Sequence, residues 1–465
     1  MVSSRAERLL TLPPLRAISA LAVPTTAVMV LGATSGVVNT YFVSRLGADA
    51  IAAVSLVFPV HLIVLTMMGG GVGAGVSAAV AQALGGGRGR DAERVAEHAF
   101  VLTGALSAVL TLLFVGGAPI LFRWMGGTGA VLDGAILFAR VLFSGVLVSF
   151  AVSTFDSILR GEGNVRVPSL CATVSLSLQI LLVPLFMFSF GLGLAGAAAA
   201  TIVGQLVGSL PRAYFVFGGQ GIVRPRLFPR PLSARPMRDI LRVGIPASLA
   251  TLTNYLGLLL LTAIVARYGT HEIAAFGLGT RLDFLILTLA FGVGSAVLTL
   301  VGLAAGAGDL HRVAALVSRA VALVAVMLSL LSVLLIWKPG IWLAIFTREP
   351  EILATGGIYL RILAPSYPFL GMSMACAFTF QGLGRAVFPL VLVTVRTAIV
   401  VTAAVCLAAL GAPVWSIFLA MATGNVASSA ILYVRLRSLL RGGYGRQATG
   451  YGKDTVASFP GARSL

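Results

Sequence analysis

The chain has 465 residues, of which 58% are apolar and only 10% are charged, and its formal net charge is +18. Soluble domains carry about 25% charged residues, so the composition excludes an ordinary soluble protein and predicts an all-α integral membrane protein. Nucleic-acid binding is not expected, because the basic residues come without interleaved aromatics or a soluble fold to carry them.

Twelve apolar stretches, each long enough to cross a bilayer, follow one another along the chain. The predicted transmembrane helices are 17–43, 50–83, 97–121, 134–158, 168–190, 194–217, 242–267, 272–304, 313–337, 352–379, 388–410 and 414–436. The three cysteines all fall inside these stretches, so the sequence predicts no disulfide framework. A dense glycine run within 69–75 predicts close helix packing with a kink.

The two halves of the chain resemble each other. Residues 43–54 (VSRLGADAIAAV) align with 265–276 (VARYGTHEIAAF) at an offset of 222, which also maps Pro24 onto Pro246. Two similar sets of six helices, here two pseudo-symmetric six-helix bundles, are typical of secondary transporters with a substrate cleft between the halves. The predicted organisation is a cytoplasmic N-terminus (1–14), an N-lobe (15–218), a cytoplasmic linker (219–238), a C-lobe (239–440) and a disordered cytoplasmic tail (441–465).

Arginines concentrate in alternate loops. They precede the first helix, lie between the second and third, crowd the linker and follow the last helix, whereas the opposite loops are poorer in positive charge. This asymmetry predicts that both termini lie in the cytoplasm and that the chain is a multi-pass protein of the cell membrane. The expected partners are the lipid bilayer and a small-molecule substrate, with no nucleic acid, and a monomer is expected.

Several matched segments resemble the multidrug and toxic compound extrusion (MATE) transporters. These are 42–56 (FVSRLGADAIAAVSL), 82–96 (QALGGGRGRDAERVA), 159–170 (LRGEGNVRVPSL), 243–249 (VGIPASL), 268–281 (YGTHEIAAFGLGTR) and 380–391 (FQGLGRAVFPLV). The resemblance implies two six-helix bundles flanking a cleft, alternating access, and efflux driven by a sodium or proton gradient. Flippases for lipid-linked oligosaccharides belong to the same superfamily, so a flippase for an anionic lipid-linked precursor is the alternative function.

The chain departs from the resembled family in its first helix. Similar proteins usually carry an aspartate there in a pattern like Val-Asp-Thr, whereas this chain has Val38-Asn39-Thr40. Asparagine does not titrate, so Asn39 is not a coupling carboxylate. It remains a candidate to line the cleft, together with Asn254 and Tyr255, because the first and seventh helices face the cleft in the proteins this chain resembles.

Two titratable residues inside predicted helices are candidates for coupling. Asp283 lies within the eighth helix with no charged residue three or four positions away, so it needs a partner on another helix, a bound cation or a proton. The offset of 222 maps it onto His61 in the second helix, and burial can bring both residue types into play near neutral pH. A structural ion pair with an arginine of the same lobe is the alternative for Asp283.

Other charged residues inside the helices divide into structural and binding candidates. Asp156 is expected to pair with Arg160 one turn later. Arg281 and Arg396, with Arg140 and Arg361, give the membrane interior an excess of positive charge, which favours an anionic or zwitterionic substrate if they face the cleft. Snorkelling, or pairing within a lobe, is the alternative for each arginine.

An enzyme is not predicted. The sequence shows no metal-ligand spacing and no nucleophile–base arrangement, so no catalytic residue, metal site or cofactor is expected, apart from Na⁺ or H⁺ as a coupling ion. The resemblance to the MATE transporters then implies a secondary active efflux transporter of small organic molecules, driven by a proton or sodium gradient.

Overall fold

The computed structural model describes residues 4–226 and 233–448, and every regular element in these ranges is helical. The first half contains α1 (Ser4–Thr11), α2 (Pro14–Ser44), α3 (Ala48–Thr66), α4 (Gly73–Gly85), α5 (Gly89–Trp124), α6 (Gly129–Ser144), α7 (Val146–Gly161), α8 (Arg166–Pro184) and α9 (Gly193–Phe217). The second contains α10 (Ala234–Val265), α11 (Thr270–Gly306), α12 (Leu310–Trp337), α13 (Gly340–Leu343), α14 (Pro350–Leu363), α15 (Tyr367–Gly382), α16 (Val387–Ala409) and α17 (Trp415–Ala448). Turns of π-helix follow α3 and α8, at Met67–Val72 and Leu185–Ser189, and a 3₁₀ turn, Ala364–Ser366, joins α14 to α15.

The predicted number of membrane spans is confirmed. Within the described residues, eleven continuous helical stretches are long and apolar enough to cross a membrane, and the pair α6–α7, bent by 44°, makes the twelfth. The bend falls at Gly145, where an added Cβ would lie 2.4 Å from a side-chain carbon of Ile202 on α9. The close approach of α9 therefore explains why this position is glycine.

Several helices run beyond their predicted ends. Helices α5 and α10 begin at Gly89 and Ala234, before the predicted starts at 97 and 242, because the polar residues that precede the apolar stretch continue the helix. Helix α17 continues to Ala448, into the tail predicted to be disordered, since extending an existing helix costs little. The rest of that tail, 449–465, lies outside the described residues, as do linker residues 227–232.

The internal repeat extends to the backbone of the turns. Gly47 and Gly269, 222 positions apart, have φ angles of 107° and 141° and precede α3 and α11. Gly163 and Gly384, which are 221 positions apart, also match, with φ angles of 77° and 73°. Residues other than glycine rarely adopt these angles, so each half needs glycine at the same turns.

The glycine run packs as the sequence predicts. A Cβ on Gly71 would lie 1.9 Å from Oγ of Ser248, and one on Gly75 would lie 2.3 Å from the carbonyl oxygen of Ile240. Both contacts are with α10, and the Ser248 hydroxyl also donates to the Met67 carbonyl at 3.1 Å. The same segment contains the π-helical turn, so close packing and a helix distortion occur together.

The helices form two compact units. The first unit holds the residues up to Arg8 and Val23–Ser248. Within it, α8 packs on α9, and α7 packs on α4, α5 and α9. Helix α6 packs on α3 and α5. The second holds Leu9–Ala22 and the chain from Leu249 onward, with α11 packed against α12, α14 and α15. The first turns of α10 thus belong to the first unit, and the start of α2 to the second. The lobe limits 15–218 and 239–440 stay a prediction.

Candidate functional site

Asp283 is held by two tyrosines of the second unit. The hydroxyl of Tyr359, on α14, donates to Oδ2 at 2.6 Å, and that of Tyr367, the first residue of α15, donates to Oδ1 at 2.8 Å. Both tyrosines are almost fully buried, and buried phenol groups need such a partner. Among the described residues no basic side chain lies within ion-pair distance of this carboxylate, so the predicted alternative of a structural pair with an arginine is wrong.

The two tyrosines were not among the residues predicted from the sequence. They lie eight positions apart, on separate helices joined by a 3₁₀ turn, so helical spacing does not place them on one face. The usable signal was the requirement that a tyrosine hydroxyl inside an apolar helix find an acceptor. Asp283 is the carboxylate that satisfies both.

Arg396 lies between two neutral amides in the same unit. Its Nη2 donates to Oδ1 of Asn254 on α10 at 2.8 Å, and its Nη1 donates to Oδ1 of Asn425 on α17 at 3.1 Å. In the part of the chain that the structure describes, no carboxylate lies within 4.0 Å of the guanidinium. The positive charge is therefore fixed in position by dipoles but is not neutralised, which leaves it able to attract an anion.

Two further predicted residues belong to this unit. Tyr255 stacks on Phe284, which follows Asp283, with ring centroids 6.3 Å apart. Arg281 lies over the ring of Phe346 at 5.7 Å. It lines a cavity of about 400 Å³ at the first turns of α11, whose other lining residues are Ile273, Ala274, Gly277, Leu278, Thr347 and Ile352. Arg281 thus points to a different place from Asp283.

The remaining interior arginines are less informative. Arg140 donates to the carbonyl oxygen of Val115 at 3.4 Å, and Arg361 is exposed. These positions fit snorkelling or helix contacts better than a binding site. Arg396 is therefore the arginine on which the prediction of an anionic substrate depends.

The other candidates lie in the first unit. Asn39 and His61 are partly exposed, yet Oδ1 of Asn39 and Nδ1 of His61 are buried without a hydrogen-bond partner in the described residues. The Oγ of Ser35, one turn before Asn39 on α2, is in the same state. The His61 ring contacts Phe143 edge-on at 6.1 Å. Buried polar atoms without partners suit a site that a ligand or water completes, although the structure shows no contact among the three residues.

The predicted pair of Asp156 with Arg160 is wrong. Asp156 instead accepts from Nε of Arg212, on α9, at 2.6 Å. Arg212 is 1% exposed and also donates to the carbonyl oxygens of Gly208 and Pro168. The fully buried Arg212 needs a carboxylate partner more than the partly accessible Arg160 does. The spacing of residues within α7 could not reveal a partner that lies on α9.

We expect the Asp156–Arg212 pair to be the most stabilising ion pair in the first unit. Arg212→Met should leave Asp156 unpaired and cost roughly 3–5 kcal/mol. Arg160→Met is the matched control and should cost much less. Thermal unfolding of the two variants in detergent measures the difference, and equal losses would contradict the assignment.

Glu162, in the turn between α7 and α8, binds the chain that follows α9. Its carboxylate is 1% exposed and accepts the backbone N–H groups of Ile222 at 3.2 Å and Val223 at 2.8 Å. Two neighbours on α5 hold the same segment, since Glu97 accepts from N–H of Arg226 and His98 from that of Ser233. This part of the linker is thus fixed to the first unit by three side chains.

Glu162 should make folding stability depend on pH. Burial raises its pKa from 4.5 to about 7, although the two backbone N–H groups and Arg5 oppose the rise. The folded chain therefore binds this proton more tightly than the unfolded chain, so the contribution of Glu162 to stability should be fully present below about pH 4.5 and be lost as the pH rises through about 7. The shift corresponds to at most roughly 3 kcal/mol. Melting temperatures in detergent across this range should fall for the wild type and fall less for Glu162→Gln. Glu97→Gln, the control, should keep the wild-type slope.

Comparisons with known proteins agree with the geometry. A family model described as MatE matches residues 24–185 and 246–429, most of the chain. The "FAD transporter" of Shewanella oneidensis is 25% identical over 358 residues, which cover 76% of this chain and 79% of that protein. "Probable multidrug resistance protein YoeA" of Bacillus subtilis is 26% identical over 388 residues, covering 81% of this chain and 83% of the relative.

Solved structures of transporters match along almost the whole chain. One, described as "Outward-facing conformation of a multidrug resistance MATE family transporter of the MOP superfamily", gives a TM-score of 0.87 at 26% identity and covers 95% of this chain and 99% of its own. Another, from Pyrococcus furiosus, is described as "Reverse polarity of binding pocket suggests different function of a MOP superfamily transporter". It gives a TM-score of 0.88 at 26% identity, covering 94% of this chain and 98% of its own. The chain therefore belongs to the MatE family, and it is a multi-pass membrane transporter rather than an enzyme.

Proposed function

We propose that the chain is a secondary active efflux transporter whose substrates are small organic anions. The proposal depends on the surroundings of Arg396. Two amide side chains hold its guanidinium in place, and no carboxylate of the described residues neutralises its charge. A carboxylate or phosphate of a substrate could approach this guanidinium and form charge-assisted hydrogen bonds. A cationic substrate would be repelled by the same group.

Two of the similar proteins support an anionic substrate. One relative carries the name FAD transporter, and FAD contains a pyrophosphate. One solved neighbour is described as having a binding pocket of reverse polarity. Both descriptions fit a substrate-binding residue that is positively charged, as Arg396 is.

Asp283 is the proposed coupling group. Its carboxylate accepts from two phenol hydroxyl groups and forms no ion pair with a basic side chain of the described residues. A proton or a sodium ion could therefore neutralise it without breaking an ion pair. In alternating access, this site would load from one side of the membrane and release to the other as the transporter changes conformation. Asn39 takes no part in proton transfer in this scheme, because an amide does not titrate.

Transport by purified protein in proteoliposomes tests the proposal. Proton and sodium gradients are imposed separately, and export of FAD is compared with export of the cation ethidium. Gradient-driven movement of FAD in excess of ethidium supports the proposal, whereas preference for ethidium contradicts it. Movement of an anionic lipid-linked precursor between leaflets with no gradient would instead support the flippase.

The distribution of arginines among the loops supports a protein of the cell membrane whose termini and linker lie on the cytoplasmic side. Gln220→Cys places an exposed thiol in the linker after Cys406, the exposed native cysteine, has been replaced by alanine. An impermeant maleimide should label this thiol only after the cells are permeabilised. Labelling of this thiol in intact cells would contradict the proposed orientation.

A further inference from the structure

The 3₁₀ turn Ala364–Ser366 stands where two hydrogen-bond networks of the second unit meet. On one side, Tyr359 precedes the turn and Tyr367 follows it, and their hydroxyl groups donate to the two oxygens of Asp283. The carboxylate therefore ties together the two helices that the turn separates. A change at the carboxylate must act on both ends of the turn.

The other network reaches the same turn from Arg396. Ser366 Oγ accepts from Nδ2 of Asn425 at 3.4 Å and donates to the carbonyl oxygen of Leu363 at 2.8 Å. The Oδ1 of the same Asn425 accepts from Arg396. Ser366 and Tyr367 are neighbours in the chain, so the peptide bond between them joins the arginine network to the aspartate network.

The turn is a weak point between two regular helices. A 3₁₀ turn has poorer hydrogen-bond geometry than an α-helix, and within a helix it often marks a hinge. Pro365 adds to the break because it has no N–H group to donate. The turn is held from outside by Ser332, which donates to the carbonyl oxygen of Ala364 at 2.6 Å. Small changes in side-chain partners can therefore reorient it.

Both proposed ligands change those partners. The ionised carboxylate of Asp283 accepts from two phenols, but a protonated one must donate its own O–H, so one phenol has to become an acceptor or leave. The titratable groups facing Asp283 in the described residues are these two tyrosines. An anion at Arg396 likewise competes with Asn425 for the guanidinium N–H groups, which frees the amide that contacts Ser366.

We infer that Ser366 is a positioning residue that couples binding of an anion at Arg396 to protonation of Asp283 through the turn. The inference rests on the proposed function, because it takes an anionic substrate and a proton as the two ligands. Coupling of this kind is reciprocal, so a proton on Asp283 changes the affinity for the anion by the same factor as the anion changes the affinity for the proton.

Binding of FAD to the purified transporter, followed by flavin fluorescence, tests the inference. The wild-type dissociation constant should differ by about fivefold or more between about pH 6 and about pH 8, the lower range of measured couplings between sites. Ser366→Ala should bind FAD at one reference pH much as the wild type does, yet show a ratio near one. Asp283→Asn should give the same flat profile. Thr379→Ala is the matched control, because it removes a buried hydroxyl of α15 that donates to the carbonyl oxygen of Ala375, away from the turn, and it should keep the wild-type ratio.

A wild-type ratio in Ser366→Ala would overturn the inference. If that variant does not give a monodisperse protein, Asn425→Ser breaks the same link from the other end, and its ratio decides instead. Different results contradict the proposed function and the role of Ser366. A wild type that does not bind FAD contradicts the anionic substrate, and one that binds it without pH dependence contradicts proton coupling. A pH dependence that survives in Ser366→Ala contradicts only the role of Ser366.

Discussion

Asp283→Asn should reduce gradient-driven transport to background while the protein still binds substrate. Asparagine has the shape of aspartate but neither binds nor releases a proton near neutral pH, so the gradient can no longer drive the cycle. The two tyrosines can still hydrogen-bond to the amide, and the helices they tie together should stay in place. The measurement is FAD accumulation in proteoliposomes under a proton gradient and then under a sodium gradient.

Tyr359→Phe serves as the matched control for Asp283→Asn. It removes one hydrogen bond to the same carboxylate but keeps the titratable group, so it should retain more gradient-driven transport than Asp283→Asn does. Transport against a gradient by Asp283→Asn at a rate near wild type would show that coupling occurs elsewhere. Loss of folded protein in that variant alone would make Asp283 a structural residue.

Arg396→Gln should weaken the transport of an anion about tenfold or more relative to a cation. Hydrogen bonds to charged groups contribute roughly 1.5–3 kcal/mol, and one factor of ten corresponds to about 1.4 kcal/mol. Glutamine can still donate to Asn254 or Asn425, so the local packing should survive. Initial rates for FAD and for ethidium, measured on the same proteoliposomes, give the ratio directly.

Arg140→Gln is the matched control for Arg396→Gln. Arg140 also lies within a membrane helix, but it donates to a backbone carbonyl and has no amide partners. Its replacement should leave the ratio of FAD to ethidium transport unchanged. Equal losses for both substrates in Arg396→Gln would make this arginine part of the packing of α10, α16 and α17 rather than a substrate contact.

The helices of this fold could be predicted because each one is encoded locally. An apolar stretch of about 20 residues is a signal within one segment, and the repeat relates segments by comparison alone. Glycines such as Gly47 and Gly269 also mark their turns in the sequence. The bend at Gly145 was not predicted, because its cause is the side chain of Ile202 on another helix.

The partners of the charged residues could be predicted much less well. Spacing paired Asp156 with Arg160, but the pair that forms spans 56 positions and depends on how α9 packs against α7. The prediction that Asp283 needs a partner on another helix was correct. That the partners are two tyrosines could not be predicted, because the turn at Ala364–Ser366 brings them together. Helix periodicity describes one helix at a time, whereas these contacts are set by the packing of several.

The first residues of α2 and of α10 each belong to the unit that does not contain the rest of their helix, which limits where this chain can be cut into two fragments. Helix α10 begins in the first unit, where Gly71 and Gly75 leave room for it, and Leu9–Ala22 belongs to the second, where Arg312 donates to the carbonyl oxygens of Leu9 and Leu12. A chain cut in the linker would yield two fragments, each lacking a segment that its own unit requires. Each fragment should fail to fold when it is synthesised alone, and the two should assemble when they are synthesised together. Each half of this transporter therefore needs a segment that the other half carries.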